Sequence, residues 1–212
     1  MLDHTPTATD VRVIRFGYHG SPEVAHHITR LAGRDRSAVR LSAYDVTDPF
    51  RDLRAGELDL MIVKFGLREP DLVTSRVLTE DARAVLVGAA HPLAARASVS
   101  VEELADYDTF ARPGAFPDYV WDDVVPPRTP AGRPIRRNRR VGSIPEMMAL
   151  VAEGEAVHIS LVSLADVAPP AVRVVPIHDL PSAPVTVAWR RGTELPFHVR
   201  DFITTAEAEA SR

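Results

Sequence analysis

Residues 58–63, Leu-Asp-Leu-Met-Ile-Val, decide the fold. The run is short and almost continuously apolar, broken only by Asp59. That pattern fits a strand covered on both faces, as in a parallel sheet, and not the alternation of a half-exposed strand. Upstream, Asp48-Pro49 opens a short helix carrying Phe50 and Leu53, and Gly56 stops it. Val39 to Tyr44 alternates like a strand. Ser21 followed by Pro22 reads as an N-cap with proline in the first turn. Val24, Ile28 and Leu31 then fall at helical spacing, and Gly33 ends the run. Val11 to Tyr18 is β-branched and aromatic and is bounded by His19-Gly20, which reads as a strand. Residues 1–10 are polar and aperiodic, a frayed tail. The order is therefore β-α-β-α-β, with right-handed crossovers and a parallel sheet. On such sheets ligands bind beyond the carboxyl ends of the strands. Here those ends are Tyr18 to Ser21, Asp45 to Thr47 and Lys64 to Gly66.

Towards the C-terminus a second, smaller α/β unit follows. Ala82 to Ala94 holds a strand that ends at His91-Pro92. Ser100 and Glu103 have capping-box spacing, and so do Ser143 and Glu146 at the start of a helix that Gly154 closes. Thr109 to Ala111 is a short strand, and Arg112 to Pro117 a loop leading into a helix at Asp118 to Val125. Pro126 to Pro134 is irregular because of its prolines. Ile135 to Val141 and Ala156 to Val162 are strands, the second buried. Val185 to Arg190 is a last strand. Pro196 starts a final helix with Val199, Phe202, Ile203 and Ala206 on one face.

Composition narrows the function. The 212 residues contain no cysteine, which excludes disulfides, thiolate metal sites and a cysteine nucleophile. The net charge of −4 excludes a globally basic nucleic-acid binder. No apolar run approaches the ~20 residues of a membrane span, and residues 1–10 hold no signal-peptide core, so a cytoplasmic protein is expected. The arginines between Arg128 and Arg140 could be a nucleic-acid patch, but a solvated loop and edge strand explain them better. They lack interleaved aromatics for stacking. The histidines form no metal-ligand pattern: His26 and His27 are adjacent and diverge on a helix. His158, in a buried strand, reads as a core residue. No nucleophile elbow, P-loop or dinucleotide fingerprint is present. No catalytic residues, cofactor or metal are expected.

Candidate binding residues cluster at strand ends and helix starts. Ser21 caps its helix, and the free N–H groups there could also seat an anion. Lys64, the only lysine, and Phe65 follow the buried strand. Lys64 could face a cleft or plain solvent. Val46 and Thr47 end the second strand, although Thr47 could merely begin a helix. Phe116 could form an apolar wall or core. Ser143 and Ile144 begin a capped helix opposite.

The ordered set "DPFRDLRAGELDLMIV", "HPLAARASVSVEELADYDTF", "MMALVAEGEAVHISLVS" and "VAWRRG…FHVRDFI" resembles the effector-binding domain of LysR-type transcriptional regulators, from about Val11 to Ala206. The resemblance implies an α/β, type II periplasmic-binding-protein-like fold: two Rossmann-like lobes joined by two crossover strands. It places residues 11–83 and 188–206 in lobe I, 84–187 in lobe II, and 1–10 and 207–212 in tails. It does not extend to the winged helix-turn-helix with which family members begin. It implies a non-catalytic, ligand-sensing domain whose small-molecule effector sits between the lobes and touches Ser21, Val46, Thr47 and Lys64. The alternatives are a stand-alone small-molecule-binding modulator and, less so, an enzyme on the same cleft. The implied partners are a second copy or an intact LysR-type regulator. The helix carrying Val24, Ile28 and Leu31 and the helix after Pro117 would supply contact faces. No specific DNA binding by this chain is expected. With the Ser21 helix start and Lys64 both positive, a carboxylate effector is expected. Lys64→Ala would then weaken its binding with little effect on the fold.

Overall fold

The computed structural model describes residues 13–212. The tail expected over residues 1–10, and the first two residues of the strand expected from Val11, lie outside them. Strand β1 is Ile14–Tyr18, helix α1 Pro22–Leu31, β2 Val39–Ala43, α2 Arg51–Arg54 and β3 Leu60–Lys64. β1 pairs parallel with β2 on one side and with β3 on the other, as the β-α-β-α-β order requires. Three further strands complete this larger sheet: β4 (Leu72–Thr74), β5 (Thr79–Asp81) and, much later, β11 (Ala183–Arg190). The order is β2-β1-β3-β11-β4, with β5 also paired to β11. β11 runs antiparallel to β3, β4 and β5.

The apolar run of β3 is accounted for by burial on both faces. Leu60 and Ile62 join a core with Phe16, Ile28, Val187, Phe202 and Ile203, under α1 and the final helix. Met61 and Val63 face the other way, onto Phe50, Leu53, Leu58 and Leu72. Successive side chains of a strand alternate in direction, so each residue of the run meets a different core. α1 begins as the sequence suggests: Ser21 Oγ accepts from the N–H of Glu23 at 3.1 Å, and Pro22 follows.

The smaller half contains β6 (Arg83–Gly88), α3 (Val101–Leu104), β7 (Asp108–Phe110), α4 (Asp118–Val124), β8 (Arg136–Arg139), α5 (Ile144–Ala152), β9 (His158–Leu161) and β10 (Val172–Pro176). β10, β6 and β9 form an antiparallel sheet, and β7 pairs parallel with β8. Its core gathers Leu86, Phe110, Trp121, Met147, Val151 and Ile159. The Ser100–Glu103 capping box closes in both directions. At α5, Ser143 caps the N–H of Glu146, but the Glu146 carboxylate accepts from Gly142, one residue further back than a capping box requires.

The chain passes between the two sheets twice, through Ala82 between β5 and β6 and through residues 177–182 between β10 and β11. Two boundaries differ from the sequence reading. Val185 and Val187, expected in lobe II, pair with β3 inside the larger sheet, because β11 enters that sheet at Ala183. Residues 207–210, expected in a tail, complete the last helix, α6 (Phe197–Ala210). The helix faces expected at a dimer contact are partly turned inward. Ile28 is fully buried, Val24 and Leu31 pack against the same core, and Val120 and Trp121 of α4 are buried.

Four of the six arginines between Arg128 and Arg140 are neutralised locally. Arg136 and Arg139 pair with Asp108, Arg139 also with Glu155, Arg137 with Asp122 and Arg133 with Asp106. These are mostly exposed pairs and add little stability. They do reduce the bare positive charge a phosphate backbone would need, leaving only Arg128 and Arg140 without a carboxylate among the described residues.

Candidate functional site

A cavity opens between the two halves, with about 950 Å³ of space between its walls, the solvent at its mouth included. The larger half contributes His19, Tyr44, Val46, Ile62, Lys64 and Phe65. The smaller half contributes Phe116 of the 112–117 loop, Val120 and Trp121 of α4, and Ser143 and Ile144 at the start of α5. His158, Ser160 and Leu161 of β9 complete it. Thus Val46, Lys64, Phe65, Phe116, Ser143 and Ile144 from the sequence reading come together around one cavity. Ser21 and Thr47 do not line it.

Both exceptions have a structural reason. Ser21 is fully buried, and its Oγ donates to Asp166 Oδ2 at 2.5 Å. A carboxylate therefore does sit at the start of α1, where the free N–H groups favour one. It comes from the protein itself, from the short turn Val162–Asp166 of the other half. The Thr47 carbonyl accepts from the N–H of Ala115 at 2.6 Å, so this residue joins the two halves and does not face the cavity. At that contact Gly114 has φ +43°, and a Cβ there would lie 2.5 Å from the Thr47 carbonyl oxygen. Gly114→Ala should push the 112–117 loop off Thr47 and destabilise the protein by roughly 1–3 kcal/mol. Thermal unfolding of the variant measures this, and an unchanged midpoint would contradict the tight approach.

Lys64 is the larger correction. Its ammonium reaches the cavity wall but donates to Asp81 Oδ2 at 2.8 Å and to Ser163 Oγ at 2.9 Å. Asp81 in turn accepts from the Ser163 N–H at 3.2 Å. The Lys64 and Asp81 side chains are only 16% and 8% exposed, so this is a largely desolvated pair at the point where the chain leaves the larger sheet. Lys64 is not the free cation the sequence suggested. Its partner lies 17 residues on, across a reversal of the chain.

The turn Val162–Asp166 thus docks on the larger half at both ends, Ser163 on Lys64 and Asp81, and Asp166 on Ser21. Leu164 between them packs against Gly20, where an added Cβ would lie 2.8 Å from Leu164 Cδ2. On the far side of the cleft the Tyr119 hydroxyl accepts from the Arg68 N–H at 2.9 Å and donates to Glu69 at 3.2 Å.

Apart from the paired Lys64, the polar side chains that line the cavity are uncharged. His19 stacks on Tyr44 with ring centroids 5.5 Å apart. It keeps some exposure to the cleft but lies deep. Desolvation, with help from the Lys64 charge, pushes its pKa down to about 4. His158 is pushed down to about 3 by burial first and His19 second. Burial pushes the Tyr44 phenol up, and its hydroxyl donates to the Ile62 carbonyl at 3.2 Å. His158 stacks on Trp121 at 6.2 Å and meets the edge of Phe110 at 5.6 Å. His158 Nδ1 and Trp121 Nε1 are buried without a hydrogen-bond partner among the described residues. Such orphaned groups are uncommon in native proteins. His158 was expected as core; its strand is buried along its whole length, and periodicity does not reveal which face meets a void. His19 and Tyr44 stand at the strand ends where a ligand was expected. Trp121 gave no sequence signal beyond its helix.

Phe65 adds a backbone signal. Its φ is +70°, a region that bulky L-residues rarely adopt. Surrounding structure holds it there: its N–H donates to the Pro184 carbonyl at 2.9 Å, and it clusters with Ala183 of its own half and with Val120 and Leu161 of the opposite one. The Arg83 guanidinium lies 5.1 Å from the ring centroid. Burial pulls the Arg83 pKa down to about 10. Residues held in sparsely populated backbone regions concentrate at ligand clamps. No metal-holding cluster of histidines and carboxylates occurs among the described residues.

Residues 31–211 match the family model of the LysR substrate binding domain. The chain belongs to this family. Among solved structures, it is similar to full-length CbnR complexed with its target DNA, with a TM-score of 0.74 and 19% identity; the match covers 96% of this chain and 72% of CbnR. It is also similar to the effector-binding domain of QuiR in complex with shikimate (TM-score 0.65, 19% identity, 93% of this chain and 96% of that one). HinK, a LysR family regulator from Pseudomonas aeruginosa, matches with a TM-score of 0.63 at 15% identity, over 97% of this chain and 72% of its own. No curated protein matches in sequence. This LysR substrate-binding domain has the type II periplasmic-binding-protein-like fold, and its role is regulatory ligand sensing. Among the described residues no helix is long and apolar enough to cross a membrane.

Proposed function

We propose that the cavity between the two sheets is the effector site of this domain, and that occupancy is signalled by a change in how the halves meet. The observation that carries the reading is the wall itself. Residues from both halves enclose one cavity, and the contacts beside it are few and specific: Ser21–Asp166, Thr47–Ala115 and Lys64–Asp81–Ser163. A ligand that binds one arrangement of the halves better than another shifts their equilibrium by its difference in affinity. Ile144, partly exposed at the first turn of α5, is a position where bulk can be added without opening the core. Ile144→Phe should weaken effector binding at least tenfold in calorimetry while the unfolding midpoint stays close to the parent's. Unchanged affinity in a folded variant would place the ligand elsewhere.

The role is non-catalytic. Ser143 is engaged as a helix cap, and histidines held near 3 and 4 are poor general bases at neutral pH. The domain acts in the cytoplasm, in keeping with its family. It pairs with a second copy or with another LysR-type regulator, with the part-exposed Val24 and Leu31 of α1 as a candidate contact face. Light scattering that gives one chain's mass across micromolar concentrations would reject the homodimer. Specific duplex binding by these residues is not expected, since the arginines of β8 are paired with carboxylates. A gel shift with sequence-selective nanomolar affinity would overturn that.

A further inference from the structure

We infer that the effector of this cavity is an uncharged molecule with an apolar, ring-sized body and a carbonyl or hydroxyl oxygen, and that carboxylates are excluded because Asp81 already neutralises the Lys64 ammonium at its wall. The inference rests on the cavity being the effector site, as proposed above.

Three observations carry it. First, neither source of positive charge is available. The Lys64 ammonium is neutralised by Asp81, and Ser21 at the start of α1 does not line the cavity. An incoming carboxylate would have to share the Lys64 cation with Asp81, leaving two anions on one buried charge, or be buried without a counter-charge; both are costly. The cavity histidines cannot supply a charge at neutral pH. Second, the remaining wall is apolar and aromatic, with Phe65, Phe116, Val120, Trp121 and Ile144 facing the space. Such a wall suits a flat or ring-shaped body. Third, two buried polar atoms in that wall are left over. Trp121 Nε1 can only donate, and a neutral imidazole at His158 offers one donor and one acceptor. A carbonyl or hydroxyl oxygen that reaches the indole N–H satisfies that donor, and the His158 imidazole stacked on the indole is a second polar group in the same wall.

The test is calorimetric titration, at pH 7.5, of matched pairs: methyl benzoate, acetophenone and benzyl alcohol beside benzoate, and methyl cinnamate beside cinnamate. The neutral members should bind at least tenfold more tightly than their carboxylates. Trp121→Phe should weaken the neutral members about tenfold and leave the carboxylates unchanged. Asp81→Asn should narrow the gap by freeing the Lys64 ammonium for carboxylates. Asp81→Asn is expected to be less stable, and the matched pairs with Trp121→Phe keep the test decisive if it does not fold. Carboxylates binding as tightly as their neutral partners, in a manner sensitive to Ile144→Phe, would overturn the inference and leave the cavity as the effector site. Binding of either series that ignores Ile144→Phe, or no binding by any member, would overturn both.

Discussion

Lys64→Ala should lower stability by about 3 kcal/mol, the low end of what breaking a buried ion pair costs. The loss follows from what stays behind. Asp81 is 8% exposed, and without the ammonium it keeps only the Ser163 N–H at 3.2 Å. The variant also loses the bond from Lys64 to Ser163, which holds the turn Val162–Asp166 to the larger half. For a chain of this size the unfolding midpoint should fall by about 6–12 °C. This reverses the expectation drawn from sequence, that Lys64→Ala would leave the fold intact and act on an acid ligand. Lys64→Met combined with Asp81→Leu removes both charges and should recover most of the loss, since apolar replacement of a buried pair is often neutral. A Lys64→Ala midpoint within a degree of the parent's would mean that the pair is solvated and contributes nothing.

Acid should unfold the domain in a window set by its cavity histidines. In the folded protein His19 is held near 4 and His158 near 3, chiefly by desolvation, whereas both titrate near 6.5 once unfolded. Between about pH 6.5 and 3 the unfolded chain therefore binds more protons than the folded one, and stability falls as the pH falls. Above 6.5 the histidines are neutral in both states and their effect is flat. A tenfold difference in proton affinity between the two states is worth about 1.4 kcal/mol, so the two histidines together amount to several kcal/mol. His158→Gln, which cannot protonate, should flatten the decline between pH 6 and 3.5 in urea unfolding series. A decline of the same steepness in that variant would assign the acid sensitivity to other groups.

The elements that sequence reveals best here are those built on local chemistry. Ser21-Pro22 announces α1, Ser100 with Glu103 announces α3, and the apolar run before Lys64 announces a strand buried on two faces. β4 and β5 went unseen because three residues carry no readable period. β10 went unseen because Pro169, Pro170 and Pro176 frame it as a loop; it is an edge strand, where a proline is tolerated. The site divides along the same line. Positions at strand ends and helix starts were legible, since topology alone puts them beside a crevice. The partners that decide their chemistry were not. Asp166 meets Ser21 across 145 residues, and Asp81 meets Lys64 only after the chain reverses. Both positive positions therefore read as free in the sequence and are occupied in the fold.

The most direct test of the effector site uses the protein's own reporter. The chain has two tryptophans, and Trp189→Phe leaves Trp121 in the cavity wall as the only one. Titrating that variant with methyl cinnamate at pH 7.5 should give a saturable change in Trp121 emission, with a midpoint that matches the calorimetric affinity and is moved by Ile144→Phe. Calorimetric binding with no change in Trp121 emission would place the ligand outside the cavity and contradict the account.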